Sequence, residues 1–227
     1  MNIQDFRGIL VEKKYLSDDV MFLSLQVPQT FSFTAGQYIL LKIVQQDQFR
    51  WKSYSILNPP KDRGKVDLCV TIIPGGFASE VFKRAKVGDE FLFKAPIGQF
   101  AFDEEAKNKE HWFICLGTGI TPMYSMIKEH LGDKKFVLLF GEKTKKDLLF
   151  YDEFRKLEEQ FPYFIYLPVV SREKWEGKVG HVQMHLPANT KNKIFYVCGL
   201  KEMVLETKEM LLKQGVNPEN IKVERYT

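Results

Sequence analysis

The feature that most constrains this chain is a change of hydrophobic period between Phe102 and Trp112. Up to Phe102, short alternating or β-branched runs are separated by turn residues: Phe6 to Tyr15, Val20 to Val27, Gln37 to Val44, Trp51 to Leu57, Val66 to Ile73 and Glu90 to Lys94. Side chains alternate across a strand, so this pattern predicts strands with one buried face, and six of them in succession predict an antiparallel six-stranded β-barrel or a sandwich. One stretch, Ser79 to Ala85, suits a short helix with Ser79 as its N-cap. The polar segment Asp103 to Glu110 reads as a linker. Beyond it, continuous apolar runs (Trp112 to Leu116, Phe136 to Phe140, Phe164 to Val170, Ile194 to Val197, Ile221 to Tyr226) alternate with amphipathic ones (Pro122 to His130, Asp147 to Gln160, Lys201 to Gln214). Strands buried on both faces lose their alternation, so this half predicts an α/β domain with a five-stranded parallel sheet and crossover helices. The 227 residues suffice for two domains, 1–102 and 103–227.

Charge and cysteine usage narrow the function. Lys and Arg number 33 against 29 Asp and Glu, a net charge of +4 spread along the chain. That distribution argues against a nucleic-acid surface or a polybasic membrane anchor, while a mild positive bias suits an acidic protein partner or a phosphorylated ligand. The N-terminal residues lack the apolar segment of a secretory signal, and runs such as Phe136 to Phe140 are far too short to span a bilayer, so a cytoplasmic protein is expected. Cys69, Cys115 and Cys198 are widely spaced in apolar runs. They support neither a disulfide framework nor a zinc or iron–sulfur site. His181 and His185, four residues apart, lack a third ligand in view, so no metal is expected.

Three local motifs carry chemistry. Gly117-Thr118-Gly119-Ile120-Thr121-Pro122 follows the first buried strand of the second half and opens a helix, with Pro122 suited to its first position. Glycines there let backbone N–H groups approach a pyrophosphate at the positive helix end, although the spacing alone also suits a plain strand-to-helix turn. Lys52-Ser53-Tyr54-Ser55 lies on a strand, with Lys52 and Tyr54 on one face and Ser53 and Ser55 on the other. A cation, a planar aromatic and a hydroxyl suit a flavin phosphate and ring; an ordinary barrel strand fits the same residues. Gly75-Gly76-Phe77-Ala78-Ser79 sets glycines and a capping Ser ahead of a helix, a second anion-binding geometry or a tight hairpin.

Taken in order, these motifs resemble those of the ferredoxin-NADP reductase superfamily over nearly the whole chain. The family's Arg-x-Tyr-Ser motif resembles Lys52 to Ser55, its Gly-x-x-Ser/Thr motif resembles Gly76 to Ser79, and its barrel-closing turn resembles Pro96 to Phe100. Gly117 to Pro122 follows, then Gly141 with Asp147-Leu148-Leu149, Ser171-Arg172, Cys198-Gly199 and Glu224-Arg225-Tyr226. The resemblance implies FAD held by Tyr54 against the ring, Ser55 near its reactive nitrogen, Gly76, Ala78 and Ser79 on the diphosphate, and Val70 and Thr71 lining the cofactor. It implies a nicotinamide nucleotide at Gly117, Thr118, Gly119, Ile120, Thr121 and Pro122, with Cys198, Gly199 and Glu224 beside the reacting ring and Tyr226 covering the flavin. Ser55, Cys198, Glu224 and Tyr226 are thereby the expected catalytic set. For Cys198 the residues themselves leave open a purely structural role as a small buried hydrophobe.

Two departures from the family pattern stand out. Lys52 replaces Arg and loses the planar fork that grips phosphate, leaving Arg50, on the same strand face, to assist. Tyr226 is followed by Thr227, so its cover over the flavin is expected to be displaced more easily. Ser171 and Arg172 suit the 2′-phosphate of NADPH, which NADH lacks. Hydride transfer between cofactors requires positioning and exclusion of water more than a strong base, consistent with the lack of a Ser/His/Asp grouping. The expected activity is therefore hydride transfer from NADPH to FAD and electron delivery to a small acidic carrier, ferredoxin or flavodoxin, by a monomer. The alternatives are an NADH-dependent oxygenase reductase, a free-flavin reductase, a non-catalytic flavin redox sensor or electron-transfer subunit, and a nucleotide-binding protein without flavin.

Overall fold

A computed structural model describes residues 3–106 and 108–226, which fall into two compact units. The first comprises the chain through Phe102 together with Tyr124–Glu129. It contains β1 (Gln4–Tyr15), β2 (Val20–Gln26), β3 (Tyr38–Gln45), β4 (Gln48–Ser55), β5 (Lys65–Thr71), α1 (Phe77–Arg84) and β6 (Glu90–Ile97). The strands form one antiparallel sheet in the order β4-β3-β6-β1-β2-β5. The sheet curls until its two edges meet, where the Leu57 amide donates to the Asp67 carbonyl at 2.8 Å. The alternation read from the sequence appears as burial: Ile39, Leu41 and Ile43 of β3 are at most 1% exposed and join Leu23, Leu25, Val66, Leu68 and Phe93 in the barrel core.

Helix α1 begins at Phe77, earlier than the sequence pattern suggested, and Gly76 is its N-cap. Ser79 is therefore not a cap: its hydroxyl accepts the Ile73 N–H at 2.9 Å and braces the turn before the helix. At the other end, the Lys13 ammonium reaches across from β1 and donates to the carbonyls of Phe82, Lys83 and Ala85 at 2.7–3.0 Å, satisfying acceptors that a helix end leaves without intrahelical partners.

The second unit comprises Asp103–Met123 and the chain from His130 onward. Its strands are β7 (Glu110–Leu116), β8 (Phe136–Glu142), β9 (Phe164–Val170), β10 (Lys178–Val179), β11 (Lys193–Leu200) and β12 (Ile221–Tyr226), and its helices are α2 (Ile120–His130, shared with the first unit), α3 (Tyr151–Gln160) and α4 (Lys201–Lys213). The parallel sheet has six strands in the order β10-β9-β8-β7-β11-β12, one more than the five expected. The sixth, β10, is two residues long, too short to leave a periodic signal. Helix α3 starts at Tyr151, not Asp147, because Lys145–Asp147 forms a tight turn in which Thr144 donates to the Asp147 carboxylate at 2.6 Å and Phe150 takes a left-handed conformation. Pro122 is the third residue of α2, where its missing N–H is again one that the helix would leave unbonded.

The order of connection fixes where a ligand can sit. From β7 the chain moves outward through β8, β9 and β10, then returns to place β11 and β12 on the other side of β7. The loops leaving β7 and β11 therefore diverge, and a crevice opens beyond the carboxyl ends of these two strands.

Candidate functional site

In the first unit, residues directly opposite on neighbouring strands share a face. Arg50, Lys52 and Tyr54 lie opposite Ile43, Leu41 and Ile39, all members of the core. Strand β4 thus places two exposed cations and a half-buried tyrosine on a face that β3 fills with aliphatic side chains. The Arg50 guanidinium lies 4.5 Å from the centroid of Phe77, the first residue of α1, and Tyr54 packs edge-on against Phe82 of the same helix at 5.5 Å. Burial pushes the Tyr54 phenol well above its ordinary range, so it stays protonated.

The first intrahelical bond of α1 runs from the Glu80 amide to the Gly76 carbonyl at 3.0 Å, so the Phe77, Ala78 and Ser79 amides precede it, and no side chain caps them. Gly75 has φ +69° with open space where a side chain would stand, while a Cβ on Gly76 would lie 3.1 Å from Ile73 O and Ser79 Oγ. A bare helix start with a guanidinium at its first residue fits a diphosphate. Arg50 is a cation beside this helix start. Ser55 is buried and Thr71 is exposed. The Val70 side chain is 1% exposed and lies within the barrel core, because β5 turns that residue inward.

In the second unit, Gly117 has φ +56°, and Gly117–Gly119 forms a single tight turn leading directly into α2 at Ile120. A Cβ on Gly119 would stand 2.5 Å from the carbonyl oxygen of Cys198 and 3.0 Å from Gly199 Cα, so only glycine lets this turn close onto the end of β11. A Cβ on Gly199, at φ +146°, would stand 2.9 Å from the end of the Met203 side chain and 3.3 Å from the backbone N and O of Leu116. The Thr121 hydroxyl, in the first turn of α2, is buried with no hydrogen-bond partner. A buried donor left unsatisfied is costly, and one beside a glycine turn at the crevice fits a bound nucleotide.

Cys198 pairs in register with Cys115 on one side and Glu224 on the other. It is fully buried. Burial and then the Glu224 carboxylate raise its thiol pKa well above the ordinary value, against smaller opposing effects of a hydrogen bond with Tyr226 and of the Gly199 amide. The thiol is a neutral, soft group. The structure thus gathers Gly117–Thr121, Cys198, Gly199, Glu224 and Tyr226 towards the carboxyl ends of β7, β11 and β12; Thr227 lies outside the described residues. Ser171 and Arg172 follow β9, three strand spacings from β11, or about 14 Å away. The Ser171 hydroxyl donates to the Glu142 carbonyl at 3.2 Å.

Among the described residues, no group of three His, Cys, Asp or Glu is arranged to hold a metal ion. A ring nitrogen of His185 meets the Val179 carbonyl at 2.9 Å. A cavity of about 730 Å³ beyond the ends of β8 and β9, lined in part by Lys145, Phe150, Tyr151 and Glu173, was not foreseen. Its one sequence signal is position, since most of these residues lie just past the end of β8.

A barrel with an Arg/Tyr strand beside a glycine-headed helix, and a parallel sheet with a glycine turn at its point of divergence, define an oxidoreductase that uses a flavin and a nicotinamide nucleotide. Residues 7–102 match the oxidoreductase FAD-binding domain, and residues 113–209 match the oxidoreductase NAD-binding domain. The chain belongs to the ferredoxin-NADP reductase superfamily. It is similar to ferredoxin–NADP reductase B of Sorangium cellulosum (strain So ce56), at 29% identity over 240 residues covering 98% of each chain. It is also similar to the reductase component of phenol 2-monooxygenase from Pseudomonas sp. (strain CF600), at 28% identity over 236 residues covering 99% of this chain and 66% of that one. The chain spans about two thirds of the length of the oxygenase reductases it matches. In fold it resembles the Neisseria gonorrhoeae ferredoxin NADP+ reductase solved with bound FAD and NADP, with a TM-score of 0.83 at 22% identity and 99% coverage of both chains.

Proposed function

We propose that this protein takes hydride from NADPH into FAD and delivers the electrons singly to a ferredoxin or flavodoxin, with residues 1–102 as the FAD domain and 103–227 as the nicotinamide domain. Bound FAD supplies the conversion between two-electron and one-electron chemistry. The protein's part is positioning. Arg50, Lys52 and the α1 amides hold the diphosphate, Tyr54 and Ser55 orient the ring, and the Gly117–Gly119 turn admits the nucleotide close to the backbone. Thr121 offers its unpaired donor, and the neutral, buried Cys198 thiol backs the crevice without adding charge to it.

The observation that carries this reading is the convergence of Gly119, Thr121, Cys198, Gly199 and Glu224 on one crevice of a sheet whose chain also bears the phosphate-binding β4–α1 pair. The end-to-end similarity to a ferredoxin–NADP reductase favours a small carrier as acceptor. A second reading, delivery to an oxygenase component, draws on the similarity to the phenol and anthranilate oxygenase reductases. A cytoplasmic monomer meeting an acidic partner suits the mild positive charge, and no helix among the described residues is long and apolar enough to cross a membrane.

The test is anaerobic mixing of the FAD-loaded protein with NADPH or NADH, then addition of ferredoxin, flavodoxin or free flavin. The proposal expects faster bleaching of the flavin by NADPH and reoxidation by a protein carrier. A protein that gains no flavin absorbance with added FAD overturns it.

A further inference from the structure

Two cysteines that stand far apart in the chain meet in the second unit. Cys115 of β7 and Cys198 of β11 are register partners on adjacent parallel strands, so their side chains leave the same face of the sheet. Strands paired in this way run about 4.8 Å apart, inside the roughly 4.4–6.8 Å between Cα atoms that a disulfide can bridge. The spacing falls at the tight end of that range, so a bond there is strained and readily reduced. Both cysteines are free thiols and both are fully buried. Cys69, the third cysteine, lies on β5 of the first unit.

Burial, then the neighbouring Cys198 and Glu142, raises the Cys115 thiol well above its ordinary pKa, and burial likewise raises Cys198. Both thiols are therefore protonated, and their burial limits the oxidant to a small one, such as a peroxide. One sulfur attacks a peroxide oxygen, the O–O bond breaks, and a sulfenic acid and water form. The partner sulfur then displaces the hydroxyl group, the S–S bond forms and a second water leaves. Two thiols thereby lose two hydrogens and two electrons, and the peroxide takes up both. Register pairing supplies the second step, because the partner thiol already faces the first from the next strand.

The crevice feels such a bond directly. A Cβ on Gly119 would stand 2.5 Å from the Cys198 carbonyl oxygen, so the glycine turn rests against the backbone of the residue that the bond would draw toward β7.

We infer that Cys115 and Cys198 form a peroxide-sensitive dithiol whose reversible disulfide slows hydride transfer at the crevice. The slowing rests on the reading of the crevice as the nicotinamide-nucleotide site; the disulfide itself does not.

The test treats the reduced, FAD-loaded protein with hydrogen peroxide, removes the peroxide with catalase, and follows free thiols in denaturant, intact mass, mapped peptides and flavin bleaching by NADPH. Wild type should retain one thiol of its three, become lighter by two hydrogen atoms and yield a Cys115–Cys198 linked peptide. Its bleaching should slow by at least about fivefold, and dithiothreitol should restore both the thiols and the rate. Cys115→Ala should bleach within about twofold of wild type before treatment and keep that rate afterwards. Retention of all three thiols, oxygen addition without a linked peptide, a disulfide that leaves bleaching unchanged, or equal slowing in Cys115→Ala overturns the inference. Failure of either coenzyme to bleach the untreated protein would instead overturn the underlying reading, and the linked peptide would still report on the dithiol.

Discussion

Replacing Gly119 with Ala tests the crevice most directly. Its new methyl would stand 2.5 Å from Cys198 O and 2.8 Å from Cys198 C, where ordinary contact begins near 3.4 Å, so the turn or the strand end must retreat by roughly 0.9 Å. Neither can yield easily. Both obstructing atoms are backbone, and β11 is paired with β7 on one side and β12 on the other through this position. Overpacking of this kind costs about 1–3 kcal/mol, which for a unit of this size lowers the melting temperature by several degrees. The displaced turn leads directly into Thr121 and is proposed to admit the nucleotide, so flavin bleaching by NADPH should slow by at least about tenfold while bound FAD is retained. Gly132→Ala is the control, because a Cβ there meets nothing within 4 Å. It should leave the rate unchanged and alter stability by less than about 1 kcal/mol. Melting followed separately by flavin fluorescence and far-ultraviolet dichroism distinguishes the two units. If Gly119→Ala melts and bleaches like Gly132→Ala, the close approach of turn and strand is not what builds the crevice.

Three further outcomes follow from individual side chains. Arg50→Ala should weaken FAD binding by about tenfold or more, measured by fluorescence titration, because it removes the cation beside the start of α1. His111 is fully buried, and burial, followed by the Lys134 charge, lowers its pKa to about 4 from the ordinary 6.5. The folded state therefore refuses a proton that the unfolded chain accepts below pH 6.5, so stability is greatest above that pH and declines by up to about 3 kcal/mol as the pH falls to 4. Urea midpoints at pH 7.5, 5.5 and 4.5 should show this decline in wild type and a shallower one in His111→Phe; parallel curves would contradict it. Lys13→Met should destabilise the first unit by about 1–3 kcal/mol in urea unfolding, since three carbonyls at the end of α1 lose a charged donor.

Much of the fold was legible in the sequence because it rests on local period. The alternation through β3 and the continuous apolar run of β8 each report how many faces of a strand are buried, and the structure places those residues accordingly. Where the sequence failed, distant contacts decided. Ser79 has the composition of a cap, yet it braces Ile73, because the turn folds back upon it. β10 is a strand only because β9 runs beside it. The bond from the Ser171 hydroxyl to the Glu142 carbonyl likewise joins segments 29 residues apart, which no local pattern records.

The candidate site divides in the same way. By itself the sequence determined the two-part architecture, the glycine turn after β7 and the Arg/Lys/Tyr strand face, because glycine conformation and strand parity are properties of neighbouring residues. Tertiary structure alone decided that Gly119 must be glycine because Cys198 lies against it, that the Thr121 hydroxyl is left without a partner, and that Lys145 is held between two rings. Each of these depends on segments distant in the chain meeting within a few ångströms, and no local pattern records which segments the sheet order will bring together.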